Sequence, residues 1–211
     1  MYNYPHYKEH DRDKVIEFMR NYPFITLIGI DKTGSVELTQ IPVLIAENET
    51  GIFLQGHIAR NSTHHKAFEE NRQVLALFTG PHTYVSGSWY TGNPRQASTW
   101  NYISVHARGK IKFMDAIHLT ELLKKLSLHF ENYNTASSTV YDNLPSEYLD
   151  KLKKAIVSFE IEVTELENVF KLSQNRDEKS YDNIIAELKK REGDAKTIGI
   201  IMEERKAKIF Q

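Results

Sequence analysis

The segment GHIARNSTHHKAF, residues 56 to 68, holds three histidines, an arginine and a lysine within thirteen positions. It follows a run of residues typical of a β-strand and leads into a stretch with helical character. Residues of these types could bind a metal ion, bind an anion, or simply keep a loop solvated. The spacing of the residues distinguishes these alternatives.

A metal site is disfavoured by the positions of the histidines. His64 and His65 are adjacent, so their side chains diverge on a helix, whereas helical zinc motifs place their ligands on one face. His57 lies on the preceding strand and has no Asp or Glu close by in the sequence. We therefore predict no metal site.

Anion binding fits the same segment better. A strand ending at His57, a polar passage and a short helix ending near Asn71 would form a strand–turn–helix unit. Ser62 or Thr63 would cap the helix and leave its first amide groups free, and such groups suit a phosphate. Arg60 and Lys66 could add positive charge, although either residue could equally be an ordinary solvated side chain.

Two further segments carry unusual side chains. Residues 78–109 contain both tryptophans of the chain, Trp89 and Trp100, and a set of tyrosines, which is often a sign of core or interface packing. Residues 170–177, FKLSQNRD, lead from a strand into a helix. Asn175 or Asp177 would serve there as a simple helix cap.

The elements that must position these segments follow from periodicity. Runs of apolar or alternating residues predict seven strands, at 24–30, 36–46, 52–57, 73–78, 83–86, 101–113 and 157–164. Apolar stripes predict a helix after Asp11, a longer helix after Asp115 and a third around Tyr181 to Leu188. This pattern favours a mainly β protein with helices, an α+β barrel, in a single domain over residues 1–211 with a helical tail from about 175 to 211.

Composition limits the function classes. The chain has 211 residues, no cysteine, 27 Lys and Arg against 28 Asp and Glu, and a sequence pI of about 6.8. These values exclude disulfides and thiolate ligands and give no broad basic surface for nucleic acid. No apolar run is long enough to span a bilayer and no signal peptide is recognisable, so we predict a cytoplasmic protein without a membrane partner.

Four motifs in order resemble the PaiB-type family of FMN-binding negative transcriptional regulators, whose fold is the flavin split barrel. They are GHIAR, GPHTYVSGSWY (80–90), TWNYISVHARG (99–109) and KLSQNR (171–176), and the resemblance runs from Tyr2 to about Leu188. It implies a split β-barrel with packed helices that binds FMN in a groove at a homodimer interface. The cofactor's phosphate would lie on the strand–turn–helix unit.

The resemblance also implies a set of cofactor-binding residues. The phosphate would contact Arg60, Asn61 and Ser62, with His57 on the strand before them. The backbone of Thr39, Gln40 and Ile41 would face the isoalloxazine. The remaining candidates would form walls of the site, and they are Trp100, Asn101, Lys171 and Gln174.

Two functions remain open at this point. The resemblance favours a transcriptional regulator, but no helix-turn-helix with a basic recognition helix is present, and GKIKF (109–113) and ERKAKIF (204–210) are the only compact basic segments that would favour DNA as a partner. The alternative is an FMN-dependent oxidoreductase acting on an unknown small molecule, because the same barrel hosts such enzymes. A haem-binding relative is a third reading, and hydrolysis has no support. We assign no catalytic residue.

Overall fold

The computed structural model describes Met1, residues 4–92 and residues 96–210. Tyr2, where the family resemblance begins, lies outside the described residues. So do Pro94 and Arg95 of the aromatic segment and Gln211 at the end of the predicted domain.

Helices and strands alternate along the chain. The helices are α1 (Arg12–Asn21), α2 (Thr63–Glu70), α3 (Ala116–Phe130), α4 (Ser146–Ala155), α5 (Glu178–Lys189) and α6 (Asp194–Ile209). The strands are β1 (Phe24–Ile30), β2 (Val36–Pro42), β3 (Leu44–Asn48), β4 (Gly51–Ala59), β5 (Gln73–Val85), β6 (Thr99–Phe113) and β7 (Ile156–Lys171). Short 3-10 turns occur at Pro5–Tyr7, Gly87–Trp89 and Tyr141–Asn143.

Within the described part of the chain, the strands form a seven-stranded sheet in the order β2-β1-β5-β6-β7-β4-β3. The pairs β1–β2, β1–β5, β3–β4 and β4–β7 are antiparallel. Strands β2 and β3 lie at the two ends of this order. The prediction of a mainly β protein with helices is confirmed.

Helices α1 and α3 begin directly after Asp11 and Asp115, as predicted, and Asp177 is one of the two caps predicted for the third helix. The Asp11 carboxylate accepts the Asp13 N–H at 3.1 Å, and Asp115 accepts the N–H groups of Ile117 and His118. Asp177 caps α5 by accepting the N–H of Ser180. Caps depend on local sequence, which is why they could be read directly from it.

The division of the chain into strands differs from the prediction at two places. The run 36–46 divides into β2 and β3, because Pro42 has no N–H to continue the ladder. The separate strands predicted at 73–78 and 83–86 form the single strand β5. Gly80 interrupts the run of β-forming residues in β5 because the packing requires a glycine there. A Cβ at this position would lie 2.4 Å from the ring of Phe18.

The described residues cluster into two compact units. The first unit comprises Met1–Phe18, Thr79–Val105 and Glu167–Gln211, and the second comprises Met19–Phe78 and His106–Leu166. The prediction of a single domain stays a prediction.

Each unit buries its own set of apolar side chains. In the second unit the buried faces of the strands supply Ile25, Leu27, Leu54, Ile58, Phe159 and Ile161. In the first unit the buried residues include Val169, Leu172, Tyr181, Ile184, Leu188, Ile198 and Met202. Helices α5 and α6 pack closely there, because Gly199 lies where a Cβ would come within 3.2 Å of the Leu188 Cβ. None of the helices in the described part of the chain has the length and apolar character that crossing a membrane requires.

Candidate functional site

The turn between β4 and α2 is held by side chains of its own sequence. The Ser62 hydroxyl caps α2 by accepting the His65 N–H at 3.2 Å, and it donates to the Ala59 carbonyl at 2.8 Å. Asn61 has a φ of +62°, a left-handed conformation that asparagine tolerates better than most residues. We call residues 60–63 the anion cradle.

The two adjacent histidines have different environments. His65 is buried, its Nδ1 accepts the Asn61 N–H at 3.2 Å, and its ring packs edge-on against Phe113 at 4.7 Å. His64 is half-buried, and burial lowers the pKa of its imidazole, although nearby Glu37 opposes that shift. His65 is therefore a support of the turn. Among the described residues no group of three or more His, Asp or Glu is placed to hold a metal ion.

The cradle presents several hydrogen-bond donors. Arg60 is exposed, and its Nη2 donates to the Ile156 carbonyl at 2.8 Å, which fixes the side chain and leaves its other N–H groups available. The N–H groups of Thr63 and His64 have no partner within the described part of the chain. Lys66 is exposed on the same helix. These are the charges and donors that suit a phosphate.

A carboxylate lies beside these donors. The Thr63 hydroxyl donates to Glu37 Oε2 at 2.7 Å, which places Glu37 of β2 at the N-terminus of α2. Its negative charge offsets part of the positive potential there. Glu37 was not among the predicted site residues, because this contact joins positions 26 apart and no local sequence pattern indicates it.

Strand β2 supplies the second wall of this region. Thr39, Gln40 and Ile41 pair with β1 on one side only, because β2 ends the strand order. An edge strand leaves alternate N–H and C=O groups without a strand partner. Gly56 of β4 lies against the end of β2, since a Cβ there would be 3.2 Å from the Pro42 carbonyl. The structure therefore brings residues 39–41 close to the segment that contains His57, Arg60, Asn61 and Ser62.

His57 lies on the opposite face of β4 from the fully buried residues of that strand. The residue is half-buried, and its Nδ1 is buried without a hydrogen-bond partner among the described residues. Burial lowers the pKa of the His57 imidazole, which favours the neutral ring. The side chain lines a pocket together with Pro42.

In the first unit, Lys171 holds the start of β6. Its Nζ donates to the Thr99 hydroxyl at 2.6 Å and to the Trp100 carbonyl at 2.5 Å. Burial lowers the pKa of this ammonium group, and the neighbouring Arg176 lowers it further. Since the two bonds are internal, Lys171 positions the Trp100 backbone.

Asn101 and Gln174 also make internal bonds. Asn101 is fully buried, and its Oδ1 accepts the Ser173 hydroxyl at 2.9 Å. Gln174 accepts the Leu172 N–H and donates to the Phe170 carbonyl, each at 2.6 Å. Both side chains stabilise the turn after β7, where Ser173 has a φ of +61°.

The Trp100 side chain is exposed. Its accessible fraction is 54%, and the rings of Tyr84 and His82 lie 6.1 and 6.2 Å from it. The four predicted site residues of the first unit thus form one cluster. Trp100 is the member of this cluster whose side chain is exposed. Those of the second unit form another cluster around the cradle.

The donor set of the cradle fits a phosphate monoester. Arg60 and the N–H groups at the start of α2 can bind its oxygens, and the carboxylate of Glu37 opposes them. The unpaired edge of β2 can meet the polar edge of a flavin ring. By contrast, the sequence contains no Gly-rich dinucleotide turn of the G-x-G-x-x-G type.

Comparisons with known proteins agree with this chemistry. The family model described as "Putative FMN-binding domain" matches residues 1–165. The "Protease synthase and sporulation protein PAI 2" of Bacillus subtilis is 31% identical over 210 residues, which cover 97% of this chain and 98% of that protein. Among solved structures, the conserved hypothetical protein Rv2991 from Mycobacterium tuberculosis has a TM-score of 0.56 at 11% identity, covering 79% of this chain and 88% of its own.

A second solved structure gives a similar result. The FAD and haem binding protein from Mycobacterium smegmatis has a TM-score of 0.52 at 13% identity, covering 77% of this chain and 72% of its own. At such identities these likenesses concern the fold, which is the flavin split barrel. The protein is an FMN-binding protein of the split-barrel type. It belongs to the PaiB-type family of FMN-binding domains.

Proposed function

We propose that the anion cradle binds the FMN phosphate and that the edge of β2 receives the isoalloxazine. The observation that carries this proposal is the donor set of Arg60 and the first turn of α2. In the proposed site Arg60 binds phosphate oxygens, Asn61 and Ser62 shape the turn, and Thr39, Gln40 and Ile41 offer backbone groups. FMN supplies redox chemistry when it is bound.

In the first unit, we propose the exposed ring of Trp100 as a separate candidate for contact with a flavin. An exposed indole can stack on a flat heteroaromatic ring. Lys171 acts indirectly, by holding the Trp100 backbone, whereas Asn101 and Gln174 stabilise the turn after β7.

The proposed assembly is a homodimer. The exposed face of β1 and β2 in the second unit carries Phe24, Ile30, Val36 and Leu38, with accessible fractions between 46% and 61%. Ile30 pairs with Val36 in the sheet, so these side chains share one face. A contiguous apolar face of this kind usually marks an interface. A second copy of the chain is the partner that the family resemblance implies.

The proposed biological role is negative regulation of transcription. This role rests on membership of the PaiB-type family. Of the two basic segments, 204–210 offers little to DNA, because Arg205 and Lys208 pair with Glu9, and Lys206 pairs with Glu178 and Asp182. Lys110 and Lys112 of the other segment are exposed. An FMN-dependent oxidoreductase is the alternative, favoured by His57 Nδ1, which has no hydrogen-bond partner among the described residues and lies on the strand that leads to the cradle.

One pair of assays separates these roles. The FMN-loaded protein is incubated with random double-stranded DNA at about 0.1 M salt, and bound DNA is selected and sequenced. A regulator enriches a common sequence and oxidises NADH and NADPH no faster than free FMN does. Rapid NADH or NADPH oxidation without any enriched sequence would contradict the regulatory role and support the oxidoreductase.

A further inference from the structure

A pocket of the second unit lies outside the proposed phosphate site. Its volume is about 270 Å³, and it is formed by α3, α4 and the 3-10 turn between them, with one side closed by β4. Its apolar walls are Pro42, Leu123, Leu126, Phe130, Tyr141, Leu144 and Leu152. Several of these residues also belong to a separate hydrophobic cluster around Leu119, Leu149 and Ile156.

The polar groups of this pocket differ in how they are satisfied. The Ser127 hydroxyl accepts the Tyr141 N–H at 2.9 Å, and Glu131 accepts the Ser137 hydroxyl at 2.8 Å. His57 lines the pocket as well, and its buried Nδ1 has no partner among the described residues. A buried polar atom without a partner costs the desolvation of that atom, and rotation of the His57 ring that lines the pocket would let a bound group complete its hydrogen bond.

The charges around the pocket limit what can bind. Neither lysine nor arginine lines it, and Glu131 is its one charged lining residue among the described residues. An anion would therefore meet apolar walls and a carboxylate without a compensating cation. The volume exceeds that of engineered apolar cavities of about 150 Å³ that bind benzene. It suits a molecule of two fused rings.

We propose that this pocket binds a small, uncharged, ring-shaped apolar molecule carrying one hydroxyl or N–H group, which hydrogen-bonds to His57. The lowered pKa of His57 keeps its imidazole neutral, so that the ring offers one donor and one acceptor. This ligand is separate from FMN, and its binding does not depend on the phosphate cradle.

Isothermal titration calorimetry with three probes tests the proposal. FMN-loaded and FMN-free protein are titrated with 2-naphthol, with naphthalene and with 2-naphthoate. We expect 2-naphthol to bind about tenfold more tightly than naphthalene, because of the added hydrogen bond. The 2-naphthoate anion should bind more weakly than 2-naphthol.

Variants locate the binding. His57→Phe keeps a ring of similar size, so it should abolish the preference for 2-naphthol and leave naphthalene affinity within about twofold. Leu152→Trp places a larger side chain at a half-buried wall and should weaken both probes at least about tenfold. His118→Phe, an exposed histidine of α3 that does not line the pocket, is the matched control and should change nothing.

Several results would overturn the inference. Equal affinities for 2-naphthol and naphthalene in the wild type would remove the role of His57. Unchanged binding in a folded Leu152→Trp variant, verified by its melting curve, would place the probes elsewhere. One-for-one displacement of FMN by 2-naphthol would show that the pocket is part of the flavin site and would overturn the inference.

Discussion

At the scale of single residues, the first turn of α2 holds opposing charges. Arg60 and the free N–H groups of Thr63 and His64 favour an anion, whereas the carboxylate of Glu37 accepts the Thr63 hydroxyl at 2.7 Å. A phosphate bound at the cradle would be repelled by that carboxylate. Glu37 therefore lowers the affinity that the other groups would provide.

Neutralising Glu37 should strengthen FMN binding. Glu37→Gln keeps the hydrogen-bond acceptor for Thr63 and removes the charge. A charge near a helix N-terminus contributes about 0.3–1 kcal/mol, so FMN should bind roughly two- to fivefold more tightly, as measured by quenching of flavin fluorescence. Glu70→Gln, at the other end of the same helix, carries the same charge change and should have little effect. Weaker FMN binding in Glu37→Gln would show that the carboxylate assists the cofactor.

Some site residues were predictable at this scale and others were not. Ser62 as the cap of α2 could be read from the sequence, because a cap and its helix are neighbours in the chain. The role of His65 could not, since its partners are a turn residue with positive φ and the ring of Phe113, 48 positions along the chain. Asn101 and Lys171 were identified by motif, but their internal hydrogen bonds became visible only in the folded chain.

At the scale of elements, the N-terminal segment is fastened to α6 through Glu9. The Glu9 side chain is 1% exposed and pairs with Arg205 at 2.5 Å and Lys208 at 3.2 Å, while Asn168 exchanges two hydrogen bonds with the Glu9 backbone. Burial alone would raise the pKa of Glu9, but the Asp11 N–H and the bonds from Arg205 and Lys208 outweigh it and lower the pKa to about 2.

Removing this carboxylate should destabilise the fold in a pH-dependent manner. Glu9→Gln leaves Arg205 without its charged partner, so the free energy of unfolding at pH 7 should fall by about 2 kcal/mol in urea titrations. Because the pKa of Glu9 is lower in the folded protein than its ordinary value of 4.5, the ionised side chain stabilises the fold fully at pH values above 4.5. This stabilisation is lost as the pH falls towards 2. The deficit of the variant should therefore shrink over that range.

A matched control and a contradicting result are available for this prediction. Glu187→Gln removes an exposed carboxylate that pairs with Lys190 one turn away, so it should change the free energy of unfolding by less than about 0.5 kcal/mol. A Glu9→Gln variant as stable as the wild type at pH 7 would show that the ion pairs only offset the desolvation of Glu9.

Local patterns predicted most elements but not all their limits. The period-two alternation of β6 and the apolar stripe of α3 were sufficient, because each pattern is continuous over many residues. The predicted break between residues 78 and 83 is absent, since β5 continues through Gly80, which packs against Phe18, a contact distant in sequence. The division of β2 from β3 depends on Pro42, which lacks the N–H that a continuous strand ladder would need.

At the scale of the whole molecule, the exposed apolar face of β1 and β2 is the proposed homodimer interface. We expect light scattering to give about twice the chain mass of 24.5 kDa for the FMN-loaded protein. Leu38→Glu places a charge on that face, 56% exposed in the single chain, and should yield monomers with reduced FMN retention. Ile117→Glu, at a 70% exposed position of α3, is the control and should remain dimeric. A wild-type monomer that retains FMN would contradict the homodimer.

We propose that the anion cradle binds the phosphate of FMN and that Arg60 provides its main charge. Comparing FMN with riboflavin, which lacks the phosphate, isolates that contact in a single measurement. A charge-assisted hydrogen bond contributes about 1.5–3 kcal/mol, so Arg60→Ala should weaken FMN binding roughly ten- to a hundredfold and leave riboflavin binding nearly unchanged. Arg72→Ala, an exposed arginine beyond the other end of α2, should behave like the wild type. Equal losses for FMN and riboflavin, or no loss of FMN binding in Arg60→Ala, would show that the phosphate lies elsewhere.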